Sequence, residues 1–310
     1  MKEILFMEPV FKSMIWGGDR LRTEFDYAIP SETTGECWAI SAHHNGDCII
    51  KNGNYKGKSL SWLWNNNRQL FGNRTEQSFP LLIKIIDAKK DLSIQVHPDD
   101  AYANEHESGA SGKTECWYIL NCDEDAKIVI GHNAKDRDEL KFMIEHEEWN
   151  KLIRTRSIKK GDFFQITPGT VHAIKAGTLL LETQQSSDIT YRLYDYKRLD
   201  NGKARKLHIK ESIDVINCPH RDAVIDGSTN KSKSGEITNL INNKYYSVQK
   251  ISVFTEMGIN QDKDFMNISV IEGDGLIDET EISKGDHFIL PYGYGSFILK
   301  GKMSLIVSFI

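Results

Sequence analysis

The chain has 310 residues, 39% apolar and 27% charged, with a formal net charge of −5. That length allows one large or two medium cores, and the acidic balance leaves no basic footprint for a nucleic-acid partner. No run of 18 apolar residues predicts a membrane span. The opening Met1–Pro9 meets Glu3 and Pro9 too early for a signal peptide. Five cysteines (Cys37, Cys48, Cys116, Cys122, Cys218) are odd in number and lack a C-x-x-C pair, so they read as reduced thiols of a cytoplasmic protein.

The first ninety residues read as mostly β. The pair Gly17-Gly18 marks a turn, and Gly35–Ser41 alternates as a strand. His43 and His44 then fall in a loop and read as a solvated pair, since on a strand adjacent residues would face opposite ways and make no ligand pair. Ser59 is placed to cap a helix carrying Leu60, Leu63, Trp64 and Leu70. The nearly continuous apolar run Pro80–Ala88 predicts a central strand. In Leu92–His97, Leu92, Ile94 and Val96 point one way, and Ser93, Gln95 and His97 the other. An amide and an imidazole two residues apart on one strand face make half a metal site. Glu115 would add a carboxylate and His172 a second imidazole, a set without thiolate that suits zinc, with manganese, iron or cobalt open.

Asn104–Gly112 reads as a polar loop beside that site, with Lys113 two residues before Glu115. Glu115–Ile130 supplies two strands joined at Asp123-Glu124-Asp125. Asp136–Ile153 has helical spacing with acids near its start, and Leu207–Ile216 allows a short helix. Gly227–Gly235 contains no apolar residue and reads as linker. The expected organisation is therefore a metal-bearing domain over residues 1–225, a linker at about 226–235, and a degenerate C-terminal domain over 236–310.

A repeat supports two related β modules. Lys160-Gly161-Asp162-Phe163-Phe164, continuing through Gly169, Ile174 and Gly177, recurs 124 residues later as Lys284-Gly285-Asp286-His287-Phe288, continuing through Gly293, Ile298 and Gly301. Seven of eighteen positions are identical without a gap. The second copy follows the cupin hairpin signature Gly-x5-Pro-x-Gly-x2-His through Gly285, Pro291 and Gly293, but Ser296 stands where the histidine belongs. The first copy has His172, with Pro168 one place late. The metal is thus expected in the first module.

Several strings together resemble the type I phosphomannose isomerases (mannose-6-phosphate isomerases) in their short bacterial form. They include Gln95-Val96-His97-Pro98-Asp99-Asp100, Lys113-Thr114-Glu115-Cys116-Trp117, Gly169–Ile174, Gln184–Asp188 and Thr190-Tyr191-Arg192-Leu193-Tyr194-Asp195-Tyr196. The resemblance implies a mainly β chain of two cupin-type jelly-roll barrels with a few short helices. It also implies one Zn2+ per chain, held by Gln95, His97, Glu115 and His172. Arg192 would be an active-site arginine, and Lys113 and Glu182 further active-site residues. The implied reaction interconverts mannose 6-phosphate and fructose 6-phosphate through an enediolate, with a sugar phosphate as partner and a monomer or homodimer as assembly. Longer members carry a helical insertion between the metal-binding strands, for which the 56 residues between Glu115 and His172 leave room for one helix. Either Glu182 or Lys113 is open as the proton-transferring group. Lys89, Lys90 and Arg198 are alternative phosphate contacts. Two other classes fit a cupin site: a metal-dependent oxygenase, and a sugar-phosphate-binding regulator.

Overall fold

The computed structural model of the protein describes residues 2–225 and 227–310. The architecture is mainly β. In the first module a six-stranded sheet runs in the order Phe163–Ile166, Glu115–Cys122, Thr178–Gln185, Leu81–Ala88, Val10–Gly18 and Thr34–Ile40. A five-stranded sheet runs Ile153–Ser157, Lys127–His132, His172–Ile174, Ile94–Val96 and Tyr191–Tyr194. Side chains from both sheets meet in a shared interior. Its floor is apolar, built from Trp16, Ile86, Trp117, Phe164, Ile174 and Leu180.

Leu81–Ala88 is buried along its whole length, as expected of a strand covered on both faces. Leu81, Ile83 and Ile85 face one core, whereas Ile86 and Ala88 belong to the other. The outer face of the five-stranded sheet is sealed by the helices Arg137–Glu145 and Ile209–Val215 through Leu140, Ile144, Ile209 and Ile213.

The second module is one large sheet curled around its own apolar cluster, including Met266, Ile268, Val270, Phe288, Leu290, Phe297 and Leu299. The repeat is visible as identical backbone connections. Gly161 N donates to Ile119 O and Ile119 N to Asp162 O; Gly285 N donates to Val270 O and Val270 N to Asp286 O. Both glycines have positive φ, 91° and 96°, which a side chain disfavours. Each aspartate accepts from the backbone N three residues earlier, at 3.0 and 2.8 Å. These bonds make Ile119 and Val270 equivalent, and hence Glu115 and Met266, four residues back on each strand.

Four expectations change in detail. Ser228–Lys231, inside the stretch read as linker, is an edge strand paired with Gly235–Asn242; polar on both faces, it carries no periodic signal. Asp226 lies outside the described residues. The helix expected over 136–153 is two, Arg137–Glu145 and Trp149–Leu152, because Glu147 takes φ +53° between them. A helix, Asp100–His106, capped by the Asp99 carboxylate on Tyr102 N, occupies part of the expected loop. Ser59 caps Leu60–Asn66 through Trp62 N, but Leu70 falls in the next turn, Arg68–Phe71. The two modules also interlock: Leu5–Glu8 pairs with the second-module strand His287–Pro291. Tyr246, Val248, Phe265 and Ile306 join the core of the first.

Candidate metal centre and active site

Three carboxylate and imidazole side chains converge in the first interior. Ligand atoms of His97, Glu115 and His172 all lie within 4.8 Å of one another, and all three residues are buried. Glu115 comes from the six-stranded sheet, and His97 and His172 from the five-stranded one. Sequence-distant residues meet because His172 pairs directly with Gln95, and Glu115 with Gln184. Glu115 Oε2 is 3.4 Å from His97 Nε2, and Oε1 is 3.4 Å from His172 Nε2.

Each imidazole is oriented by its other nitrogen. His97 Nδ1 lies 2.7 Å from Ile189 O, and His172 Nδ1 2.8 Å from Thr170 O. A carbonyl only accepts, so each Nδ1 carries the proton and each Nε2 presents a lone pair inward. Gln95 lies beside these three, its amide nitrogen 3.2 Å from His172 Nε2. A half-turn of that amide presents the oxygen instead.

Lys113 precedes the strand that begins at Glu115, yet its Nζ reaches 2.8 Å from Glu115 Oε2 and 3.9 Å from Glu182 Oε1. Lys84 lies on the other side of Glu182, 3.7 Å away, and 3.8 Å from Glu36. Trp117 Nε1 donates to Glu182 Oε2 at 3.0 Å, leaving Oε1 toward the lysines without a hydrogen bond. Above them is a cavity of about 120 Å³ bordered by Glu36, Lys84, Gln95, Lys113, Glu182 and Arg192. A larger depression of about 680 Å³, where His43, Arg74 and Lys244 line the wall, includes none of the metal-set residues. The convergent, buried charges mark the smaller space as the chemical one.

Burial opposes charge on every group here, and neighbours decide the outcome. For Glu115 desolvation is outweighed chiefly by the Lys113 charge, which holds its carboxyl well below the ordinary range. Burial, followed by the Lys113 charge, pushes His97 down to about 3, and burial lowers His172 as well. Both rings are neutral at physiological pH, the form that binds a metal. Desolvation would lower Lys113, but Glu115 and Glu182 raise it. Glu182 is raised by burial and by Glu115, against Lys113 and Lys84.

The residues fit a divalent metal. Glu115 Oε2 has the Lys113 ammonium at 2.8 Å, but Oε1 is sealed from solvent with no donor and faces the unprotonated Nε2 of His172 at 3.4 Å. Two acceptors buried face to face are costly unless a cation lies between them.

Arg192 reaches the cavity wall, its Nη1 donating to Lys206 O at 2.8 Å and its Nε without a partner. Arg205 lines the same wall, paired with Asp195 at 2.6 Å. Arg198 is tied to Asp195 and to Asp91 O, and Lys89 and Lys90 are exposed away from the cavity. His43 sits 3.6 Å from Asp188, outside the metal set. Sequence reading missed Lys84, Glu36 and Arg205. Lys84 had a signal: a lysine within a strand apolar on both faces must be paired inside. Arg205, on a loop, had none.

Comparison with known proteins identifies the family. The family model for the type I phosphomannose isomerase catalytic domain matches residues 4–118, and that for the mannose-6-phosphate isomerase cupin domain matches 236–310. The chain is 51% identical to mannose-6-phosphate isomerase ManA of Bacillus subtilis, covering 99% of this chain and 98% of that one. It is 46% identical to mannose-6-phosphate isomerase of Streptococcus mutans, with coverage of 99% and 98%. The crystal structure of mannose 6-phosphate isomerase from Bacillus subtilis superposes with a TM-score of 0.97 at 50% identity, covering 99% of both chains. With that likeness along its whole length, the chain belongs to the type I phosphomannose isomerase family.

Proposed function

We propose that this chain interconverts mannose 6-phosphate and fructose 6-phosphate, using one zinc ion held by Gln95, His97, Glu115 and His172. The observation that carries the reading is the meeting of two backbone-oriented imidazoles with a buried carboxylate whose Oε1 has no donor, beside a cavity holding paired lysines and glutamates. The reaction moves a proton between C1 and C2 and another between O1 and O2, through an enediolate whose negative charge must be stabilised. A bound divalent cation supplies that stabilisation as a Lewis acid.

The chain's own residues divide the remaining work. Lys113, kept charged by two carboxylates, is a proton donor toward a sugar oxygen and not a base. Glu182, raised toward the working range and with Oε1 free of a hydrogen bond, is suited to take and return the carbon-bound proton. Arg192 and Arg205 place two guanidinium groups at one wall, of which Arg205 is neutralised by Asp195. Burial and the Arg205 charge both disfavour charge on Arg192, and an anionic substrate relieves that strain. The five unbridged cysteines suit the reducing cytoplasm.

Metal analysis with a coupled assay for conversion of fructose 6-phosphate tests this reading. One zinc per chain, activity lost on chelation and restored by zinc, is the expected result. Full activity in the chelated, metal-free protein would refute it. Arg192→Ala is expected to keep its zinc and lose about 10²–10³-fold in turnover, the range seen for removing one charge-stabilising donor.

A further inference from the structure

The turn joining the second-module strands Gly235–Asn242 and Ser247–Val253 is held by Asn243, whose Oδ1 accepts from Tyr245 N at 2.8 Å and Tyr246 N at 3.1 Å. This local closure aims two adjacent phenols into the first module. The Tyr246 side chain is buried, and its hydroxyl lies 3.1 Å from Gln165 Nε2 and 3.2 Å from Gln165 Oε1. Gln165 Nε2 also donates to the backbone carbonyl of Glu115 at 3.0 Å. The Tyr245 hydroxyl donates to Asp100 Oδ2 at 2.8 Å. Asp100 Oδ1 in turn accepts from Gly112 N and from Gln185 Nε2, both at 3.0 Å. Gln185 Oε1 accepts from Thr114 N at 2.8 Å, and Gln185 N donates to Thr114 O at 3.0 Å. One chain of bonds therefore ends on Gly112 and Thr114, and the other on Glu115.

The geometry points to Tyr245 and Tyr246 as positioning residues: the second module grips the Gly112–Glu115 segment from both ends and so sets where Lys113 and Glu115 stand at the metal centre. Lys113 precedes the regular strand, so ladder hydrogen bonds alone do not fix it. Its own backbone N is held by Pro98 O at 3.1 Å, while the residues on either side depend on the Tyr245 chain. Partners beyond the ligands typically control metal affinity or activity by about 10–100-fold. A module with no cation set among its described residues thereby acts on the site of its sister.

The inference rests on Glu115 being a ligand and Lys113 a proton donor. The test uses full-length holoenzyme carrying Tyr245→Phe, Tyr246→Phe or both, with Tyr292→Phe, exposed on the same module, as control. The dissociation constant for zinc alone is expected to rise about 10-fold in a single variant and about 100-fold in the double. kcat falls with KM within about twofold, and the visible absorption of the cobalt-substituted protein shifts. Zinc affinity, kcat and cobalt spectrum all unchanged in both single variants would overturn the proposal, and so would a lowered Tm without any of those changes. Where the double variant fails to fold, the single variants decide. Glu115→Gln separates the two levels. Unchanged zinc binding in that variant sinks the ligand assignment itself. Weakened binding there, with unchanged tyrosine variants, sinks the positioning role alone.

Discussion

In the first module the hairpin after Gly169 sends His172 and Ile174 into the interior, while Val171 and Ala173 face the helices outside. In the second, 124 residues on, Phe297 and Leu299 point inward and Ser296 and Ile298 outward. Ser296 pairs with Asn260 as His172 pairs with Gln95, so backbone neighbours are kept while the side-chain phase is shifted by one. Gly295, with φ +79°, stands where Val171 does and permits the shift. Because strand side chains alternate with period two, a one-residue change exchanges every inward group for an outward one. The second module thus did more than replace a histidine: the position itself faces solvent, and Met266 fills the place of Glu115. The same hairpin turns His172 toward His97 and Glu115 in the first module and keeps an apolar cluster in the second.

Breaking the first set gives the largest effect. His172→Ala should lower zinc affinity by more than about 100-fold, beyond what a supporting residue contributes, with the far-ultraviolet circular dichroism unchanged. Zinc at one ion per chain in the purified variant would show that His172 is not a ligand. Planting one member of the set in the second module should be costly rather than functional. Met266→Glu puts a lone carboxylate among Ile268, Leu290 and Phe297, and urea unfolding should show a loss of about 3–5 kcal/mol, as for an uncompensated buried charge.

His287, the buried histidine of the second module, sharpens the comparison through pH. Its Nδ1 is 2.8 Å from Ser269 Oγ and its Nε2 2.8 Å from the Tyr27 hydroxyl. Burial, with a smaller contribution from Lys51, pushes it from 6.5 down to about 3. A depressed folded-state value means that the unfolded chain binds the proton first. His287 therefore contributes stability above 6.5 that is lost as pH falls toward 3. Unfolding free energies of His287→Gln measured across that window should depend on pH less steeply, by up to about one proton; equal slopes would show that His287 is not held neutral. The smallest effect belongs to Ser296→His. The exposed side chain should leave zinc at one per chain and stability within about 0.5 kcal/mol. A second bound zinc would mean that the outward phase has been misread.

Much of the site was legible because strand alternation and the internal repeat pick its residues out. Gln95 and His97 share the polar face of an alternating strand, and the repeat singles out His172 by contrast with Ser296. Lys84 escaped notice because one lysine in an apolar run still reads as a central strand, and Arg205 because a loop residue has no periodicity to violate. The edge strand Ser228–Lys231 was read as linker for the same reason: with both faces wet, pairing leaves no apolar trace.

Sequence alone determined the β class and singled out the internal repeat and Gln95, His97, Glu115 and His172 as candidate ligands, since alternation, turn glycines and side-chain chemistry are local properties. Tertiary structure decided which way each strand faces, which lysines become paired inside, and that a turn of the second module reaches the first beside Lys113 and Glu115. Those outcomes depend on register and on contacts between residues more than a hundred positions apart, such as Tyr245 with Asp100. Register is set by packing of the whole sheet, which no short stretch of sequence encodes.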